Sequence, residues 1–104
     1  MCNVLLYTHL DTNQEHKMKA TDPAAVHLFK AVKRVWGVIG FDVLASAEEV
    51  GAVVDHESAI EGCVDSGMLL TYTDQAAQDA WEKVRDEMGY NEAIEWIGQY
   101  VHLG

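Results

Sequence analysis

Apolar residues recur at Ala25, Leu28, Phe29, Val32, Val35 and Trp36, three to four positions apart, directly after the pair Asp22-Pro23. An aspartate that can accept an orphan backbone N–H, followed by a residue whose φ already suits a helix, is a start signal, so this spacing predicts an amphipathic helix with one buried stripe. Gly37 reads as its end. Upstream, "NVLLYTHL" (3–10) is rich in β-branched, aromatic and apolar residues and predicts a first strand, followed by the polar crossing "DTNQEHKMKATD". Downstream, "VIGFDVLAS" puts Ile39, Phe41 and Val43 on one face of a second strand. Residues 47–66 mix short apolar runs with acids and glycines and read as a long, partly extended connection. "GMLLTYT" predicts a third strand, Thr73 or Asp74 caps a second helix, and Ala77, Trp81, Val84 and Met88 form its inward stripe. Gly89 interrupts that helix, "YNEAIEWIG" resumes it, and "QYVHLG" closes the chain as a fourth strand.

The order βαββαβ predicts an α+β fold. Two right-handed βαβ halves make a ferredoxin-like, four-stranded antiparallel sheet with both helices on one face. A chain of 104 residues, about half of them apolar, fits one such domain over 1–104. Strand 1 is apolar on both sides: Leu5, Tyr7 and His9 face one way, Val4, Leu6, Thr8 and Leu10 the other. A sheet bare on its second face needs a cover, and the expected partner is a second copy docked through that open face.

Charge narrows the partners. A formal net charge of −10 repels polyanions, which argues against nucleic acid and anionic membrane surfaces. Lys30, Lys33 and Arg34 do cluster, at a spacing that more simply marks a solvated helix face than a phosphate site. No positively charged leader precedes the first apolar run, which is too short for a membrane span, so the expected location is the cytoplasm. Cys2 and Cys63 form no CxxC motif and imply neither a disulfide framework nor a structural zinc. Asp55, His56 and Glu57 are adjacent in a connection, where neighbouring side chains rarely converge on one metal; no metal and no cofactor are expected. There is no GxSxG, no glycine-rich phosphate loop and no cysteine with a partner histidine at a helix start, which disfavours acyl and phosphoryl transfer.

The strand "NVLLYTHL", the run "VWGVIGFDVL", the joint "DSGMLLTYTDQAAQDAWEKV" and the closing "YVHLG" together resemble the stress-responsive dimeric α/β-barrel (Dabb) family. The resemblance covers most of the chain in layout and is carried in motif mainly by the "LTYTD" joint. It implies sheets paired face to face into a barrel across a dimer, and in some members a small polyketide-cyclase activity. Family histidines fall here on Asn3 and Ser66, and "DEMGYNEA" (86–93) stands where a histidine-rich stretch is usual, so those catalytic histidines do not carry over. What carries over is a pocket between sheet and helices, walled by Leu5, Tyr7, Met68, Leu70, Tyr72 and Trp81, with Phe41 and Met88 also assigned to the ligand.

Within that frame Tyr7, His9 and Tyr72 are the candidate acids and bases, since an imidazole or phenol beside a carbonyl can move a proton. For each, a structural role as core aromatic or half-exposed strand-end histidine stands beside the catalytic one. Three functions remain open at this point: a cofactor-free cyclase or isomerase acting on a polyketide-like carbonyl compound, a non-catalytic module that binds an apolar small molecule or serves in a stress response, and a purely structural dimer. A cofactor-free monooxygenase is a further option by fold analogy alone.

Overall fold

The computed structural model describes residues 18–103, and these are helical. In chain order they form α1 (Pro23–Glu49), α2 (His56–Val64), a 3₁₀ turn (Asp65–Gly67), α3 (Met68–Tyr72), α4 (Gln75–Met88) and α5 (Tyr90–Tyr100). There is no strand among the described residues. The first predicted strand, residues 3–10, lies outside them.

Helix α1 begins as its sequence dictates. The Asp22 carboxylate accepts from the Ala24 amide at 2.9 Å, and Pro23 occupies the first turn. It does not stop at Gly37. It runs 27 residues, about 40 Å at 1.5 Å per residue. The stretch predicted as strand 2 is its continuation, and the reason is an ambiguity of period. Ile39, Phe41 and Val43 alternate as a strand would, but Trp36, Gly40, Val43 and Ala47 also recur at 4-3-4 spacing along one helix row. Gly40 serves that row directly: a Cβ there would come within 2.8 Å of the Trp36 ring, so the indole lies over bare backbone one turn on. Ile39 reaches across to α2, with its Cδ1 3.9 Å from where a Gly62 Cβ would stand.

The predicted connection 47–66 contains a helix of its own. Asp55 caps α2 by accepting from the Ser58 amide at 2.8 Å, and Ala59, Ile60, Cys63 and Val64 form a buried stripe. Its end is marked by two left-handed residues, Ser66 at φ 51° and Gly67 at φ 73°. The third predicted strand is then the single-and-a-half-turn helix α3, which buries Leu69 and leaves Leu70 outside. Helix α4 starts as expected, with Asp74 as its cap accepting from Ala77 N–H at 2.9 Å, and ends at Gly89 with φ 92°. Ala77, Trp81 and Val84 are buried and Met88 half-buried. Helix α5 spans three turns. The fourth predicted strand dissolves into its last two residues, Gln99 and Tyr100, and a tail at 101–103 with no secondary structure.

The core lies where α1, α2, α4 and α5 meet, with Leu28, Val32 and Val35 of α1 against Ile60, Leu69, Trp81, Val84 and Ile97. Phe29 joins α1 to α5, its ring 5.2 Å from Trp96 and 5.3 Å from Tyr100. This helical bundle corrects the α+β reading. The ferredoxin-like sheet, the barrel-type dimer through an open sheet face and the resemblance to the dimeric α/β-barrel family all required strands, and the segments that should have supplied three of them are helical or without secondary structure. The pocket between sheet and helices goes with them. So do the readings built on that fold: cyclase or isomerase, small-molecule or stress-response barrel module, and monooxygenase.

Candidate interaction surface

Opposite its buried stripe, α1 carries a second row. Arg34, Val38, Phe41, Ala45 and Glu48 follow one another at 4-3-4-3 spacing, the interval that keeps residues on one face of a helix. His27 and Lys30 extend the row toward the N-terminus. Every member from Lys30 onward is exposed. Val38 is 51% exposed and Phe41 84%, while Leu44, just beside the row, is 50% exposed. Gly37 flanks it, with nothing within 4 Å of where its Cβ would be. Past the helix end, Val50 and Val53 are also uncovered. A helix apolar on both sides is one that expects burial on both, and among the described residues only the inner side has it.

The row changes character along its length. Its first half holds His27, Lys30 and Arg34, and Lys33 lies next to them, in a chain with only seven lysines and arginines. Its second half ends in Glu48 and Glu49. Beside the basic half, α1 and the α3–α4 joint enclose a cleft of about 390 Å³ lined by His27, Lys30, Arg34, Tyr72, Thr73 and Asp74. The His27 Nε2–H donates to the Asp74 carboxylate, at 2.9 Å from Oδ1 and 3.1 Å from Oδ2. That bond, and next the Ala77 amide, hold the Asp74 carboxyl below its ordinary 3.8. Arg34, an exposed residue, donates its Nε–H to the Tyr72 carbonyl at 3.3 Å, and its two terminal nitrogens make no hydrogen bond among the described residues. Lys30 has no ion-pair partner among the described residues. The cleft therefore holds more positive charge than its single carboxylate offsets, and suits a carboxylate ligand.

A second cavity of about 340 Å³ sits on the other flank of distal α1, lined by Trp36, Leu44, Val54, Asp55, His56 and His102 among others. The His56 and His102 rings lie nearly parallel, with centroids 6.0 Å apart, and His56 Nε2 is buried without a hydrogen-bond partner. No group of three or more His, Cys, Asp or Glu side chains among the described residues is placed to hold a metal. Cys63 is buried in the core, where desolvation pushes its thiol up to about 12 and away from thiolate chemistry. No helix among the described residues is long and apolar enough to cross a membrane.

Among the described residues, those singled out from sequence line no common cavity. Leu5, Tyr7 and His9 lie outside the described residues. Trp81 is core, its ring edge-on to Tyr90 at 5.8 Å. Met68 packs partly buried against the core, and Met88 lines a separate cavity of about 230 Å³ with Met18 and Trp96. Leu70 and Tyr72 are exposed on α3, with Tyr72 on the basic cleft. Phe41, assigned to a ligand wall, is the most exposed aromatic ring on the surface of α1. The sequence reading missed the partnership of His27, Lys30, Arg34 and Asp74. Its signal was the i, i+3, i+7 spacing of the first three, which also fits an ordinary solvated face.

Comparison with protein-family models, with curated proteins and with solved structures returned no match.

Proposed function

We propose that this chain is a helical docking module, whose outer α1 row receives an amphipathic helix carrying carboxylates at one end. The observation that carries the reading is Phe41, nearly fully exposed at the middle of a row that is cationic at one end in a strongly acidic chain. An incoming helix would lay apolar side chains along Val38, Phe41 and Leu44 and set its acids in the cleft against Lys30 and Arg34. This is the helix-on-helix mode, in which a central aromatic supplies most of the affinity and the charges fix direction.

The test is fluorescence polarisation with a labelled synthetic helix bearing leucines at 4-3 spacing and three glutamates at one end. Saturable binding that weakens with added salt is expected, several-fold tighter than for the same helix with lysines in place of glutamates, as exposed ion pairs of roughly 0.2–1 kcal/mol each would give. Equal binding of the two helices, or none of either, overturns the reading.

A further inference from the structure

Building on that docking reading, we infer that the occupant of the α1 row is a second copy of this chain, paired antiparallel about a two-fold axis at Phe41. In an isologous helix pair centred on residue 41, each position meets the one equally far on the other side of the centre. Phe41 then meets the partner's Phe41. Val38 and the partner's Leu44 lie level on the two flanks of the paired rings, both about half exposed in the free chain. Gly37, with open space where a side chain would be, meets the partner's Ala45, and two small residues beside the paired rings let the backbones approach.

Charge selects the same arrangement. Arg34 meets the partner's Glu48 across the seam, twice by symmetry. The Arg34 terminal nitrogens, left over from its bond to the Tyr72 carbonyl, are free to take that carboxylate. The partner's helix end, with its partial negative charge and glutamates, arrives at the cleft of Lys30 and His27, where the net charge is positive. A parallel pair would set Arg34 against the partner's Arg34 and Glu48 against the partner's Glu48. One helix therefore carries both halves of its own complement, the basic one near its middle and the acidic one at its end, in the order that only an antiparallel copy satisfies.

Exposure agrees. Val38, Phe41 and Leu44, the apolar residues at the centre of the pairing, are each half or more exposed in the free chain, so the pairing takes out of water an apolar surface that the fold leaves uncovered.

Sedimentation equilibrium of the full chain tests the inference, with far-UV circular dichroism and melting to confirm that each variant is folded. The wild type is expected to dimerise in the micromolar range. Phe41→Asp should weaken the dimer by about a hundredfold or more, since it breaks a central contact that both copies share. Arg34→Glu alone and Glu48→Arg alone should each weaken it, and the double variant Arg34→Glu/Glu48→Arg should recover it, because the swap restores opposite charges in the antiparallel register only. A wild type that stays monomeric at high micromolar concentration overturns the inference. So does a dimer indifferent to Phe41→Asp, or a double charge swap no better than the single variants. A monomer that loses melting temperature on Phe41→Asp would mean that the face is covered from within its own chain, and it also overturns self-pairing. The docking reading fails separately: a monomer that still binds the acidic helix keeps it, and a chain that does neither loses both.

Discussion

Val35 and Val38 are one turn apart on the same helix, yet Val35 is fully buried and Val38 half exposed. Around Val35, α1 is amphipathic in the ordinary sense: Leu28, Val32 and Val35 face the bundle while Lys30, Lys33 and Arg34 face water. Around Val38 the polar face disappears. Trp36, Ile39 and Gly40 still face inward, but Val38, Phe41 and Leu44 look out. The first half of the helix is held by tertiary packing, whereas the second half is packed on one side and bare on the other. The difference separates residues that make the fold from residues that the fold displays.

Mutation breaks the comparison most sharply at its extremes. Leu28→Ala should cost about 2–5 kcal/mol of unfolding free energy, as a large-to-small change at a fully buried site leaves a cavity. Phe41→Ala, a larger deletion, should cost the monomer no more than about 0.5 kcal/mol. Urea denaturation at concentrations low enough to keep the chain monomeric measures both. Comparable losses would mean that Phe41 belongs to the core after all.

Two glycines sharpen it further. At Gly40 an alanine Cβ would meet the Trp36 ring at 2.8 Å, so the indole must move. Overpacking of about 1–3 kcal/mol then outweighs the gain of about 1 kcal/mol in helix propensity, and Gly40→Ala should destabilise. At Gly37 nothing stands in the way, and Gly37→Ala should stabilise the monomer by about 0.5–1 kcal/mol. Under the antiparallel pairing the same methyl would sit against the partner's Ala45, so this variant should melt higher and dimerise more weakly. Thermal melts and sedimentation on the two variants read the two signs independently.

What was legible in the sequence follows from the same chemistry. Asp22-Pro23, Asp74 and Gly89 mark helix boundaries by hydrogen-bonding capacity or backbone freedom, which are local properties, and the structure keeps all three. The inward stripes of α1 and α4 were legible because a polar face contrasted with them. From Val38 to Ala47 that contrast is missing, and a β-branched, glycine-containing run satisfies the strand period and the helix period equally well. The helix keeps Trp36 over Gly40 within α1 and Ile39 against Gly62 of α2, a contact between helices that no local period encodes. The short run from Met68 to Tyr72 failed for a related reason. The five residues Met68 to Tyr72 are too few to show a helical period, and the left-handed turn at Ser66 and Gly67 directly precedes them. The outer row is hidden in the sequence because a strand reading of 38–46 turns Phe41 inward, which removes the centre of the 4-3-4-3 pattern.

The smallest expected effects distinguish the two halves by pH. Asp74, beside the basic half, and Asp55, at the base of the distal half, both cap helices, and both carboxyls are held below their ordinary 3.8. A lowered folded-state value means that the folded chain binds fewer protons there than the unfolded one. The contribution is therefore fully present above the unfolded value and is lost as pH falls through the folded value. The causes differ in rank: at Asp74 the His27 side chain comes first, while at Asp55 the Ser58 backbone amide does. Salt screens an exposed side-chain pair and leaves a local backbone bond almost untouched. Asparagine keeps the capping oxygen without titrating, so Asp74→Asn and Asp55→Asn should each flatten the loss of melting temperature below pH about 4. Raising the salt should shrink the benefit of Asp74→Asn and not that of Asp55→Asn. Equal salt responses would show that the His27–Asp74 pair adds nothing to the cap, and that the cleft's cations act on Asp74 no more than distant charges do.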